Sequence, residues 1–283
     1  MYPSIKEQLR DYYPESEIKS LYYLIMESVC RLDKQSVLLG KDTQIFPDEK
    51  PVIEKIIEDL KKFRPIQYIL GETEFYELKF KVNEQVLIPR PETEELVERI
   101  LNEFTVHRSP FTVLDIGTGS GCIAVALSKF LPGTEVYASD ISEKALEVAL
   151  ENARNNQTDV RFVRHDIFDA WPENLPQQFD VIVSNPPYVT PEEKDGMSKN
   201  VLNYEPHQAL FVPKEKPLLF YERIADVARE RLKPNGRLYF ETSAVYGKDT
   251  ADMLRNKGFE TVRLFRDISG KERILTGEFK YNH

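Results

Sequence analysis

Val113-Leu114-Asp115-Ile116-Gly117-Thr118-Gly119-Ser120-Gly121-Cys122 runs from an apolar strand into three glycines at alternate positions and then into a helix. Glycine lets the backbone turn sharply and approach a ligand where a Cβ would intrude, so the stretch places a nucleoside cofactor at the carboxyl end of the strand. A dinucleotide site would space its glycines Gly-x-Gly-x-x-Gly, with the helix N-terminus facing a pyrophosphate. Here the spacing is Gly-x-Gly-x-Gly. The plainer reading of the same glycines is a tight strand-to-helix connection that binds nothing.

Working outward, strands and helices alternate after residue 110, the pattern of a parallel sheet wound by crossover helices. Strands are expected at 112–116, 135–139, 160–163, 181–184, 237–241, 261–265 and 273–276, enough for a seven-stranded α/β sheet. Helices are expected at 123–130, 143–155, 218–232 and 250–257, and 186–217 reads as a long proline-bearing stretch of the kind that is usually functional. Before the sheet, Leu96, Val97, Ile100, Leu101 and Phe104 mark a helix that follows the stiff Leu87-Ile88-Pro89-Arg90-Pro91-Glu92-Thr93-Glu94. Phe75-Tyr76 and Lys79-Phe80-Lys81-Val82 suggest a hairpin. The first seventy residues carry helical stripes, Ile18, Leu21, Tyr22, Ile25, Val29 and Leu32 after Pro14, and Val52, Ile53, Ile56, Ile57, Leu60 and Phe63 after Pro51. Stripes of this kind need mutual cover, which a helical bundle supplies. The expected division is therefore an N-terminal helical domain at 1–72, a hairpin linker at 73–89 and a sheet-bearing domain at 90–283.

Composition narrows the function. The chain has 283 residues and a formal net charge of −9, so it lacks a diffuse positive field for long duplex DNA and argues against direct nucleic-acid binding. Its two cysteines, Cys30 and Cys122, are far apart and offer neither a disulfide framework nor a metal site. No apolar run is long enough to span a bilayer, and the expectation is a soluble, cytoplasmic monomer.

Three further positions carry chemistry. Asp140 ends the second strand, 23 positions after Gly117, near the spacing at which an acidic side chain accepts hydrogen bonds from a ribose. Asp166 with Ile167 offers a polar edge and an apolar face for a nucleobase, although Asp166 could equally cap the turn that follows it. Most informative is Asn185-Pro186-Pro187-Tyr188 at the end of a buried strand. Proline contributes carbonyls without N–H groups, so Asn185 Oδ1 and the Pro186 carbonyl could each take one hydrogen of a planar NH2 while Tyr188 packs against its flat face. A stiffened loop with a packed tyrosine is the bland alternative.

Taken in order, Gly117-Thr118-Gly119-Ser120-Gly121, Asp140 and Asn185-Pro186-Pro187-Tyr188 resemble the class I methyltransferases that use S-adenosylmethionine on planar amino nitrogens. Pro65-Ile66-Gln67-Tyr68-Ile69-Leu70-Gly71, Glu74-Phe75-Tyr76, Phe80-Lys81-Val82, Val86 to Glu94 and Asp115 to Ala124 narrow the resemblance to the HemK/PrmC protein-(glutamine-N5) methyltransferases, across essentially the whole length. The resemblance implies a Rossmann-like catalytic domain behind a helical bundle that helps to dock the substrate. The substrate it implies is the glutamine of the Gly-Gly-Gln tripeptide in class I peptide release factors. Gly117, Thr118, Gly119, Ser120, Gly121, Asp140, Asp166, Ile167 and Asn185 would then be cofactor positions. Asn185, Pro186, Pro187 and Tyr188 would form the glutamine pocket, with Asn185 and Pro186 carrying catalysis and Arg90 to Glu92 near the cofactor. No metal is required, and none of His107, His165, His207 and His283 has a role. Phe211 to Pro217 and Thr242-Ser243-Ala244 depart from the family pattern. The alternatives are an amino methyltransferase of DNA or RNA bases, acting on adenine N6 or guanine N2, and a non-catalytic binding module.

Overall fold

The computed structural model describes residues 1–41, 46–104 and 111–280. It divides into two units, Met1–Gly71 with Ser198–Tyr204, and Glu72–Met197 with Glu205 onward.

In the first unit α1 (Tyr2–Leu9), α2 (Glu15–Cys30), α3 (Lys34–Leu38), α4 (Glu49–Lys61) and α5 (Ile66–Leu70) are joined by α9 (Lys199–Tyr204) from later in the chain. Pro14 starts α2, and Arg31, in the left-handed region at φ 55°, ends it, so Leu32 reaches the core from beyond the helix. The apolar stripes meet as expected: Ile18, Leu21, Tyr22 and Ile25 pack with Ile53, Ile56, Ile57 and Leu60. Ile5 and Leu9 of α1, a helix the sequence reading missed, complete that core. Val52 does not join it and is exposed.

The second unit opens with a hairpin, β1 (Glu72–Phe75) and β2 (Leu78–Lys81), closed by Tyr76 and Glu77 at φ 48° and 61°, the backbone that a two-residue turn needs. The hairpin falls within the second unit. Phe75 and Phe80 meet edge-on at 5.9 Å and are buried with Leu96, Val97 and Ile100 of α6 (Pro91–Phe104), because two phenylalanines on one hairpin face need a cover. Glu94 of α6 fastens the turn by accepting the Tyr76 N–H at 2.9 Å.

Seven strands follow: β3 (Thr112–Ile116), β4 (Glu135–Asp140), β5 (Val160–Arg164), β6 (Phe179–Ser184), β7 (Leu232–Glu241), β8 (Phe259–Arg266) and β9 (Glu272–Phe279). Their order is β5-β4-β3-β6-β7-β9-β8, parallel except that β9 runs against both neighbours. β7 pairs with β6 at Leu232 and again from Arg237, the residues between falling at a register shift, which is why only the second part reads as a strand in sequence. Val113 packs on one face with α6 and α7 (Cys122–Phe130), and Leu114 on the other with α10 (Leu219–Arg231) and α11 (Gly247–Asn256). α8 (Glu143–Asn155) joins the first of these faces through Ala153. The strand order reverses beside β3, whose neighbours are β4 and β6. In such sheets this is the point where the chain leaves a crevice at the carboxyl ends of the strands. The stretch 186–217 is not without structure: it holds 3-10 turns at Pro191–Gly196 and His207–Ala209 and the helix α9.

Candidate active site

At the end of β3 the glycine loop folds back on β4, the N–H groups of Gly117 and Thr118 both donating to the Ser139 carbonyl at 2.8 and 3.0 Å. Gly117, Gly119 and Gly121 sit at φ 74°, 55° and 81°, where a side chain is strained. Their surroundings differ. A Cβ on Gly117 or Gly119 would meet no protein atom within 4 Å, and both residues line a cavity, whereas a Cβ on Gly121 would stand 3.0 Å from Ala149 Cβ of α8. A side chain at Gly121 would crowd α8, whereas the space beside Gly117 and Gly119 is open toward the cavity. Thr118 and Ser120 are buried beneath the loop and do not line the cavity. The Thr118 hydroxyl donates to Asp115 Oδ2 at 2.6 Å, and burial pushes the Asp115 carboxyl up to about 7.

The cavity, about 330 Å³, occupies the crevice at the strand ends. Asp140 lines it with each oxygen already accepting one backbone N–H, Oδ2 from Gly119 and Oδ1 from Ser142, both at 2.9 Å. A carboxylate oxygen accepts more than one hydrogen bond, so holding the loop and receiving a hydroxyl are compatible. Asp166 does cap its own turn, accepting the Phe168 N–H at 3.0 Å, and it lines the cavity as well, beside Ile167 and Phe168. Gln85, Val86, Leu87, His165 and Phe220, which sequence reasoning gave no role here, line it too. Two carboxylates, apolar walls and a glycine floor open to close approach suit a nucleoside bearing hydroxyls and a flat base. His207 lies in a 3-10 turn with its ring edge-on to Phe211, while His107 and His283 lie outside the described residues. Among the described residues no cluster of His, Cys, Asp and Glu is placed to hold a metal ion.

Asn185, Pro186 and Pro187 form another part of the wall, just beyond β6. Below them the Ser184 hydroxyl donates to the Ile116 carbonyl at 2.6 Å, which ties β6 to the strand carrying the glycines. Tyr188 is not in the wall; it packs against the core cluster on the Leu114 face of the sheet, and burial pushes its phenol well up. Its N–H and that of Val189 both donate to the Leu210 carbonyl, and Val212 donates back to Val189, so the atypical segment from Phe211 anchors the far side of the loop. Pro206, Gln208 and Ala209 are thereby brought to the cavity. Arg90 holds the start of that segment through Glu205, whose side chain is fully buried, with one guanidinium nitrogen at 2.6 and 2.8 Å from its two oxygens. That ion pair is Arg90's observed contact; Arg90 and Glu92 are not in the cavity wall.

Two buried residues behind the wall were not singled out as site residues. Asn185 Nδ2 donates to Thr93 Oγ1 at 3.3 Å, and the Thr93 hydroxyl donates to Glu241 Oε2 at 2.6 Å. Thr93 sits in the first turn of α6 because Pro91 begins that helix with φ already set. Glu241 ends β7, one residue after the Ser184–Phe240 pair, level with Asn185. Sequence carried a signal for this only in combination, through adjacency of β6 and β7 and a proline-started helix above their ends.

Comparison with known proteins adds independent findings. The family model described as the PrmC N-terminal domain matches residues 4–71, and that described as the Methyltransferase small domain matches residues 93–209. A release factor glutamine methyltransferase of Flavobacterium psychrophilum is 45% identical over 97% of this chain and 96% of its own length. One of Bacteroides thetaiotaomicron is 47% identical over 96% of each. Among solved structures, a methyltransferase from Pyrococcus furiosus superposes with a TM-score of 0.53 at 18% identity, covering 83% of this chain and all of its own, which shows the shared fold.

Proposed function

The chain belongs to the release factor glutamine methyltransferase family, and from that membership we propose how its site methylates the side-chain amide nitrogen of a release-factor glutamine. The glutamine is that of the Gly-Gly-Gln tripeptide, the protein acts as a monomer, and its place is the cytoplasm, where release factors work. No helix among the described residues is long and apolar enough to cross a membrane. The donor is S-adenosylmethionine, which when bound supplies a methyl group already activated by a sulfonium. The observation that carries the reading is that Asn185 and Pro186 share one cavity with Gly117, Gly119 and Asp140.

The chain's own task is placement. An amide nitrogen is a weak nucleophile because its lone pair is delocalised into the carbonyl. Asn185 Oδ1 and the Pro186 carbonyl accept the two N–H bonds of the substrate amide and so orient the nitrogen toward the donor. Contacts that tighten as charge shifts onto nitrogen act on the transition state. The N-methylated amide first formed is strongly acidic and loses its proton to water, so no tuned histidine is needed. Gly117 and Gly119 admit the cofactor backbone closely, Asp140 takes its ribose hydroxyls, and Asp166 with Ile167 and Phe168 frames its base.

The test is incubation with methyl-labelled cofactor and either a class I release factor, duplex DNA or structured RNA. Label is expected in the release factor alone. Label in either nucleic acid and none in the protein would favour the base methyltransferase reading and reject this one.

A further inference from the structure

Asn185 can serve as described only if its amide is held one way round, oxygen toward the cavity, and an amide left alone presents either end. The means of holding it lies behind the wall. Thr93 Oγ1 stands 3.3 Å from Asn185 Nδ2 and 2.6 Å from Glu241 Oε2, with Thr93 2% and Glu241 1% exposed, so no solvent competes for these atoms. A carboxylate only accepts hydrogen bonds. Facing one, the Thr93 hydroxyl must spend its single proton on Glu241, and its oxygen is then able only to accept from Asn185. That in turn commits the NH2 end of Asn185 inward and its carbonyl oxygen to the cavity.

We infer that Glu241 and Thr93 are positioning residues, a two-step polarity relay that orients the Asn185 amide for the substrate NH2. The inference rests on the functional reading above. It explains why a carboxyl is buried at the end of β7 with a threonine hydroxyl as its hydrogen-bond partner. It also gives Thr93 a task that an apolar helix residue of the same shape would not perform. Were Glu241 protonated, it could donate to Thr93, whose proton would then be free for Asn185 Oδ1, and the amide would turn its NH2 toward the substrate's own NH2.

The relay consequently has a direction in pH. Burial pushes the Glu241 carboxyl up to about 7, with Thr93 and the nearby Arg273 and Arg90 favouring the charged form and Glu92 opposing it. The Glu241 charge in turn raises the Tyr188 and Tyr221 phenols and the Cys122 thiol, which burial already holds neutral. The productive orientation belongs to the charged form, so turnover rises as pH rises through the Glu241 transition and falls below it. Asp115 is also raised to about 7, and burial raises Asp140 and Glu205 as well, so a variant at Glu241 is what separates its transition from theirs.

The experiment measures single-turnover methylation of a class I release factor between pH 5.5 and 9 for wild type, Thr93→Val, Thr93→Ser and Glu241→Gln, with cofactor affinity by calorimetry and melting temperature for each. Thr93→Val is expected to lose about tenfold in rate or more, the worth of one oriented hydrogen bond, while cofactor affinity changes less than about twofold and Thr93→Ser restores the rate. Glu241→Gln, which can donate as well as accept, is expected to be slow and to lose the acidic limb of the profile. A Thr93→Val variant that matches the wild-type rate would overturn the relay alone. So would a Glu241→Gln variant that retains the acidic limb, or a Thr93→Ser variant as slow as Thr93→Val while folded by its melting curve. A wild type that methylates no release factor would overturn the functional reading, and the relay with it.

Discussion

The three glycines of the loop look interchangeable and are not. Gly119 faces the cavity with nothing of the protein near an added methyl, and Gly121 faces α8 with Ala149 at 3.0 Å. Gly119→Ala should retain the fold, losing about 1 kcal/mol to its left-handed backbone, yet bind cofactor at least about tenfold more weakly because the methyl occupies the approach. Gly121→Ala should cost about 3 kcal/mol, strain and overpacking together, before any effect on binding. Calorimetric titration and melting curves on the two variants give opposite patterns if the division of labour is right, and the same pattern if it is wrong. Legibility at this scale was uneven. The placement of Gly117, Gly119, Asp140 and Asn185 around one cavity was foreshadowed because each lies at a strand end. Thr93 and Glu241 could not be foreseen, since a threonine in a helix and a glutamate ending a strand are ordinary until the β6–β7 register sets Glu241 beside Asn185 and the start of α6 sets Thr93 between them. Tyr188 reads as a pocket residue on its chemistry, and in the structure it packs against the sheet core outside the cavity wall.

Between residues and whole molecule, the elements that shape the site are fastened by buried polar side chains. Asn152 of α8 is fully buried. Its Oδ1 accepts the Lys81 N–H at 2.6 Å, and its Nδ2 donates at 2.9 Å to the carbonyls of Lys81 and of Ser120 in the glycine loop. One amide thus joins the hairpin, the crossover helix and the glycine loop. Replacing it strands buried backbone groups, and Asn152→Leu should destabilise the fold by about 2–4 kcal/mol by chemical denaturation, more than its lost hydrogen bonds in water would suggest. A loss under about 0.5 kcal/mol would mean that the three elements hold together without it. This fastening ties the hairpin to α8 within the sheet unit. The sequence showed its strand period and its aromatics, but not that Phe75 and Phe80 would be covered by α6 and tied to α8. The same holds for 186–217, whose prolines read as an open loop while Val189 and Phe211 pair across it.

At the scale of the molecule, an acidic chain divides into a helical unit and a sheet unit, and the sheet unit alone carries every residue that lines the cavity. The seven strands were legible because alternation of apolar runs and helical stripes leaves a wound sheet as the economical solution; their order was not, because adjacency is fixed by long-range pairing. That order sets the glycine loop and Asn185 on either side of one crevice, and the chemistry follows from that juxtaposition. The most direct measurement is mass mapping of the Gly-Gly-Gln peptide from a class I release factor after incubation with this protein and S-adenosylmethionine. The account predicts one added methyl group on the side chain of that glutamine, and with Asn185→Ala a rate lower by about a hundredfold or more, as for loss of one catalytic hydrogen-bond partner. An unmodified tripeptide, a methyl group on another residue, or an Asn185→Ala variant as fast as wild type would contradict it.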